Sequence, residues 1–326
     1  MRLLRALPLA LIACASSPSV DRPVDAAAPE VDVVLEDAPA TPDVDVALRD
    51  DAPPAACASC ETYGDTVTLS PVSSPAITEA SGIVESPTQP GVYFVHNDSG
   101  DTARVFAVDA NGDLLATYRL DGATAVDWED LTVGPCPTGE CLYLGDIGDN
   151  AMNRADHAVL RVALPTVARG DDRALAWERL DFAYPDGPHN AEALAMRRDT
   201  GDLYVSTKAD AEAGVYRFPL PLDPASRVTL TRVATLALPN EGSPLVTAAD
   251  LHPCEARLLV RTYTRLWEFT PPAGAPFEAM FTAVPRRLPV FSEIQGESVA
   301  WHADGRGYVT VSEGRSQALH DTRCAP

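Results

Sequence analysis

From about residue 64 to the C-terminus, short runs of alternating apolar and polar residues follow one another, punctuated by Gly, Asp and Pro. Alternation of that kind puts every second side chain on one face of an extended strand, and no long stretch keeps a helical spacing. The chain is therefore expected to be all-β. The runs also repeat. A small or acidic residue, a variable one and an aliphatic one open a strand at Ser81-Gly82-Ile83, Glu129-Asp130-Leu131, Glu192-Ala193-Leu194, Ala249-Asp250-Leu251 and Glu297-Ser298-Val299, at steps of 48, 63, 57 and 48 residues. Second strands follow at Gly91–Val95, Cys141–Leu144, Asp202–Val205, Arg257–Val260 and Gly307–Val311. Third strands follow at Arg104–Val108, Ala158–Val162, Gly214–Phe218 and Arg265–Phe269, and outer strands at Leu114–Leu120, Ala174–Tyr184, Val228–Leu238 and Phe277–Val290.

Four strands per repeat of about 40–50 residues is the pattern of β-propeller blades. The fifth repeat ends at Gln317–Thr322 without a fourth strand, while Asp65–Leu69 is a strand without a repeat. Pairing the two closes the ring and removes two exposed sheet edges. The expected fold is a β-propeller of five four-stranded blades closed by an N-terminal strand. Six blades is the alternative if the long second repeat holds an extra one, and an irregular β-sandwich is the competing architecture.

The N-terminal part reads differently. Met1–Ala13 begins with Arg2 and Arg5 and continues into a brief apolar stretch interrupted by Pro8. It is shorter than the roughly 20 residues of a membrane-spanning helix and reads as an export signal. Leu11-Ile12-Ala13-Cys14 resembles the lipobox of bacterial lipoproteins, which implies cleavage before Cys14 and a lipid on its thiol. Ala15 and Ser16 after the cysteine resemble an outer-membrane address. The alternative is a soluble secreted protein with a free thiol. Residues 14–56, rich in Ala, Pro and Asp, hold no period for more than a few residues and are expected to form an acidic tether to a domain spanning 57–326.

The formal net charge of −22 makes phosphate backbones and anionic lipid poor partners, so nucleic-acid binding is excluded. Of the seven cysteines, setting Cys14 aside leaves six, as disulfides in an exported domain require. Ring closure places Cys57, Cys60, Cys254 and Cys324 on one face, so Cys254 and Cys324 are each expected to pair with one of Cys57 and Cys60, and Cys136 with Cys141. Cys57-Ala58-Ser59-Cys60 also has zinc-knuckle spacing, but no second such motif or paired His completes it.

Chemistry is expected where the first strands begin and the second join the third, because these loops share one face of a propeller. Several crowded carboxylates repel one another unless a cation neutralises them. Glu129, Glu192 and Glu297, with Asp98, Asp146, Asp149 and Asn150 nearby, form an all-oxygen set suited to calcium. Arg154, Lys208 and Arg315 could hold an anionic substrate. The competing reading is that Asp and Asn cap their own turns and that Gly100, Gly145 and Gly148 serve backbone angles. Trp128 and Trp301 are expected to pack between blades. No Gly-x-Ser-x-Gly motif occurs, and His96, His189 and His302 lack an evident nucleophile.

Glu79-Ala80-Ser81-Gly82-Ile83, Asn97-Asp98-Ser99-Gly100, Asp127-Trp128-Glu129-Asp130-Leu131 and Gly145-Asp146-Ile147-Gly148-Asp149-Asn150 resemble bacterial envelope propellers of the SdiA-regulated and phytase-esterase-like kinds. The acidic residues opening inner strands are also similar to those of calcium-dependent lactonase and gluconolactonase propellers, which have six blades. Two functions compete: a lipid-anchored, monomeric binding or scaffold module for a protein, glycan or small anionic ligand, with calcium at the channel mouth, and a metal-dependent hydrolase of a phosphoester, lactone or ester.

Overall fold

The computed structural model describes residues 57–210 and 212–325; the expected export signal, the lipidation site Cys14 and the tether to residue 56 lie outside the described residues. Strand β1 (Val67–Pro71) precedes blade one, made of β2 (Ala80–Glu85), β3 (Val92–Asn97), β4 (Arg104–Asp109) and β5 (Leu114–Arg119). Blade two is β6 (Trp128–Pro135), β7 (Glu140–Asp146), β8 (Ala158–Ala163) and, after the short β9 (Asp171–Ala174), β10 (Trp177–Ala183). Blade three is β11 (Ala191–Arg197), β12 (Asp202–Thr207), β13 (Gly214–Arg217) and, after β14 (Val228–Thr229), β15 (Thr231–Thr235). Blade four is β16 (Val246–Leu251), β17 (Leu258–Thr262), β18 (Leu266–Phe269) and β19 (Arg286–Leu288). Blade five is β20 (Gly296–Trp301), β21 (Gly307–Ser312), β22 (Ala318–Arg323) and β1 itself. The inner strands β2, β6, β11, β16 and β20 touch in cyclic order, with β20 returning to β2. The fold is a five-bladed β-propeller.

The inward residues of neighbouring blades bury one another, so each seam has its own core. Phe94 and Tyr118 meet Trp128 and Leu144 between blades one and two, and Phe182 meets Leu194 and Phe218 between two and three. Tyr204 meets Trp267 and Phe281 between three and four, Leu259 meets Trp301 and Tyr308 between four and five, and Phe106 meets Val309 between five and one. Trp128 and Trp301 thus pack at seams, as expected.

Three outer strands are shorter than their sequence runs. Within Ala174–Tyr184 the strand of blade two is Trp177–Ala183, because the preceding β9 pairs in parallel with β5 of blade one. Likewise β14 pairs in parallel with β10 before β15 joins β13. Both excursions cover an edge that would otherwise be unpaired. Phe277–Val290 is interrupted by a 3-10 turn, Phe277–Thr282, whose Met280 and Phe281 cap the core between blades three and four.

Closure is reinforced at one seam. β1 runs antiparallel to β22, pairing Val67 with Asp321 and Thr68 with His320. Disulfides Cys57–Cys254 and Cys60–Cys324 tie the N-terminal segment to blades four and five, and Cys136–Cys141 closes the β6–β7 turn. Between blades five and one, the buried His302 reaches Glu85 through Nδ1 at 2.9 Å and Asp321 through Nε2 at 2.7 Å.

Candidate metal centre

Each inner strand shifts register by one residue against its second strand as it enters the channel. The shifts fall between Ala80 and Ile83, Trp128 and Leu131, Ala191 and Ala193, Val246 and Ala248, and Gly296 and Ser298. A bulge of this kind re-aims the extra side chain. Aligning the blades on it puts Ser81, Glu129, Glu192, Thr247 and Glu297 at equivalent places around one mouth. In blade four the equivalent residue is Thr247 and not Ala249, because Ala249 pairs with Val260 just as Leu194 pairs with Val205. The acidic Asp250 shifted the sequence repeat by two residues there.

The two hydroxyl members bind neighbouring strands: Ser81 Oγ donates to Glu129 O at 2.5 Å and Thr247 Oγ1 to Gly296 O at 2.8 Å. One residue deeper, Asp130 is fully buried and forms the floor. Its carboxylate accepts the backbone N–H groups of Leu131 at 2.9 Å, Leu194 at 2.9 Å and Ala249 at 3.2 Å, spanning blades two, three and four.

Above this floor the charge is concentrated. Carboxylate oxygens of Asp98, Asp127 and Glu129 all lie within 4.8 Å of one another. Glu129 is 5% exposed, and burial, then the charges of Glu192, Asp98 and Asp127, lift its pKa well above the usual carboxylate range. Burial pushes Asp98 up to about 6 against the pull of the Ser99 N–H, and it also raises Asp127 although Arg154 opposes it. Glu192 is lifted by burial to about 7 even though Lys208 forms an ion pair with it; Lys208 Nζ also donates to Tyr263 Oη at 2.5 Å. Glu297 rises to about 8 through burial and the charges of Glu313 and Glu192, while Gln295 Nε2, donating at 2.8 Å, pulls it down. Gly148 passes directly against two of the three: a Cβ there would meet Glu129 Oε1 and Asp127 Oδ2.

The donor set fits a hard divalent cation. With Ca–O distances of about 2.3–2.6 Å, ligand oxygens on one ion lie no more than about 5 Å apart, which matches the trio. Three carboxylates offer hard oxygens only, the chemistry of calcium rather than of zinc.

The remaining sequence candidates fall in four places. Asp146 accepts from Arg154 Nη2 at 2.8 Å and Asp127 N at 3.1 Å; Asp149 accepts from Arg154 N at 2.8 Å and Asn153 N at 3.0 Å. Asn150 Oδ1 receives Asn190 Nδ2 at 3.3 Å, and Arg154 Nη1 donates to Gly148 O at 2.6 Å. These four therefore shape the β7–β8 loop beside the mouth. Glu192 and Lys208 form a pair on blade three, and Glu297 sits with Gln295 on blade five. Arg315 is exposed on the β21–β22 loop. Asp127, by contrast, joins the trio although in the sequence it stands out only within the Asp127-Trp128-Glu129-Asp130-Leu131 motif. Asp127 lies in the bend just before β6, and the bulge after Trp128 turns Glu129 toward it.

No protein-family profile and no curated protein matches this chain. Among solved structures, a luciferin-regenerating enzyme is similar with a TM-score of 0.43 and 10% identity, covering 79% of this chain and 95% of that one. A gluconolactonase from Xanthomonas campestris, described as important in glucose secondary metabolic pathways, is similar with a TM-score of 0.47 and 13% identity, covering 84% and 98%. The blade count and the site rest on the strand pairing and side-chain geometry given above.

Proposed function

We propose that this chain is a lipid-anchored cell-envelope β-propeller that binds calcium at its channel mouth and uses the occupied mouth to hold a protein, glycan or small anionic ligand. The observation that carries the metal site is the convergence of Asp98, Asp127 and Glu129 from two blades, Glu129 buried and the other two half-buried, where burial and neighbouring carboxylates raise the pKa of each. Asp98, Asp127 and Glu129 would hold the ion. Bound there, calcium would supply positive charge toward an anionic or carbonyl oxygen of a ligand. Beneath the mouth, Asp130 ties three inner strands together and gives the site a fixed base. The acidic tether and the Cys14 lipid suit a module displayed at a distance from a membrane, facing the periplasm or the exterior.

The test is thermal unfolding of oxidised residues 57–326, first with chelator and then with millimolar calcium. A ligand at 100 times its dissociation constant adds about 2.7 kcal/mol to the folded state. For a domain of this size that is roughly 5–10 °C in the midpoint. The shift should vanish in Glu129→Gln; a midpoint indifferent to calcium sinks the metal site. Detergent phase partition of the full chain, lost in Cys14→Ser, checks the anchor.

A second reading, a metal-dependent hydrolase of a phosphoester, lactone or ester, draws on Glu192. At about 7 its pKa is matched to proton transfer at neutral pH, and Lys208 beside it could steady an anionic group. Calcium-dependent turnover of such substrates, lost in Glu192→Gln, would favour this reading over binding alone.

A further inference from the structure

The opposite face of the ring carries a second cluster. Cys57 and Cys60 lie three residues apart but leave in different directions, Cys57 to Cys254 and Cys60 to Cys324. Both sulfurs of the first bridge belong to exposed residues, whereas Cys60 is 2% exposed and Cys141 5%. Exposure gives an attacking thiolate access, so Cys57–Cys254 is the bridge open to exchange.

Beside it lies His252, buried at the end of blade four's inner strand. Its Nε2 faces Gly305 O at 3.1 Å and so carries the proton. Its Nδ1 accepts the backbone N–H groups of Cys254 at 3.2 Å and Glu255 at 3.1 Å, so its lone pair points at the Cys254 turn and passes to an ion only as opening of the bridge frees that turn. That is the tautomer a metal-binding imidazole needs, with the second nitrogen fixed by a carbonyl. Gly305, at φ +72°, brings its backbone against the ring where a Cβ would collide. Cys254 Sγ lies 3.7 Å from His252 Nδ1, and ligand atoms of Cys57, His252 and Cys254 all fall within 4.8 Å. In tetrahedral zinc, with Zn–S of about 2.3 Å and Zn–N of about 2.0–2.1 Å, neighbouring ligand atoms stand about 3.6–3.8 Å apart. A cavity of about 120 Å³, lined by Arg197, Arg198, His252 and Cys254, leaves room beside the cluster.

We propose that Cys57–Cys254 is a redox-gated metal site: when a dithiol opens the bridge, the two thiolates and His252 Nδ1 take up a soft divalent cation, zinc foremost, with water in the fourth position. The dithiol's first thiolate attacks one sulfur to form a mixed disulfide. Its second thiol then displaces the protein sulfur, so two electrons and two protons pass to Cys57 and Cys254 and the donor leaves as a disulfide. Metal binding releases those two protons. Cys60–Cys324 keeps the ring closed meanwhile, and the bound ion restores the link that the disulfide supplied.

The experiment treats the oxidised full chain with limiting dithiothreitol, removes it anaerobically, and adds cobalt(II) as a spectroscopic stand-in for zinc. Alkylation mapping should find Cys57 and Cys254 opened first. One cobalt per reduced chain should bind with thiolate charge-transfer absorption, and the oxidised chain should show no such absorption. His252→Gln should weaken binding at least about tenfold. Cys57→Ser/Cys254→Ser, which keeps the other two bridges, should abolish the absorption. First opening of another bridge, a reduced chain that takes up no metal, or undiminished affinity in His252→Gln each overturns the proposal. If His252→Gln fails to fold, the paramagnetically shifted imidazole N–H of the wild-type cobalt form reports ligation, and its absence overturns the proposal equally. Calcium binding at the mouth is read separately through Glu129→Gln, so either site can fail without the other.

Discussion

Asp130→Ala tests whether the floor of the mouth holds the ring together. In the native chain its carboxylate satisfies Leu194 N and Ala249 N, on inner strands 64 and 119 residues away, as well as Leu131 N. All three strands are the inner edges of their sheets, so the Asp130 carboxylate stands where a further strand would have accepted these N–H groups. Leaving a buried donor unpaired costs about 1–3 kcal/mol, so losing the two inter-blade bonds removes about 2–6 kcal/mol. Truncation also relieves a cost: burial raises the pKa of Asp130 well above the usual range, more than its three donors lower it, so the charged form is held unfavourably. We expect a net loss of about 2–4 kcal/mol, or roughly 4–16 °C in the unfolding midpoint for a domain of this size. Asp130→Asn, which keeps an acceptor oxygen, should lose less than half as much. The assay is thermal unfolding of oxidised residues 57–326 in chelator, followed by circular dichroism. A midpoint for Asp130→Ala within a degree or so of wild type, or an Asn variant no better than Ala, would refute the account of the floor.

Other outcomes follow from the same geometry. Gly148→Ala should lower calcium affinity by about tenfold or more, read by calorimetry, because the new methyl occupies the space of Glu129 Oε1 and Asp127 Oδ2. The mouth carboxylates have folded pKa values above their unfolded ones, about 6 for Asp98, 7 for Glu192 and 8 for Glu297. Stability of the metal-free domain should therefore fall as pH rises from about 4 to 8, while the calcium-induced rise in midpoint grows; a flat metal-free profile would count against the crowding. At the closing seam, burial pulls His302 down but Asp321 and Glu85 outweigh it and hold the imidazolium, while His302 holds both carboxylates below their usual range. The clamp should be fully formed between about pH 4.5 and 6.5, weakening above as His302 deprotonates and below as the acids protonate. Urea unfolding of wild type against His302→Gln should show its largest difference at about pH 5–6, shrinking as the pH rises above the ordinary histidine range.

Much of the architecture was legible in the residue order because its causes are local. Alternation along a strand is a two-residue property, the repeat of acidic and aliphatic openings counts the blades, and the unpaired strand near Val67 against the incomplete fifth repeat announces how the ring closes. That same closure limited the cysteine pairings to two choices. Contacts across the ring were not legible. Nothing in the chain order says that Cys57 rather than Cys60 meets Cys254, that His252 stands beside that bridge, or that β9 and β14 leave their own blades to cover their neighbours. Nor does it say that Asp98 of one blade meets Asp127 and Glu129 of the next, or that Asp130 reaches Ala249. Such meetings depend on bulges that re-aim single side chains and on the angle at which five sheets close around a channel. Both are set by the packing of the whole ring, which brings together residues separated by tens to hundreds of positions.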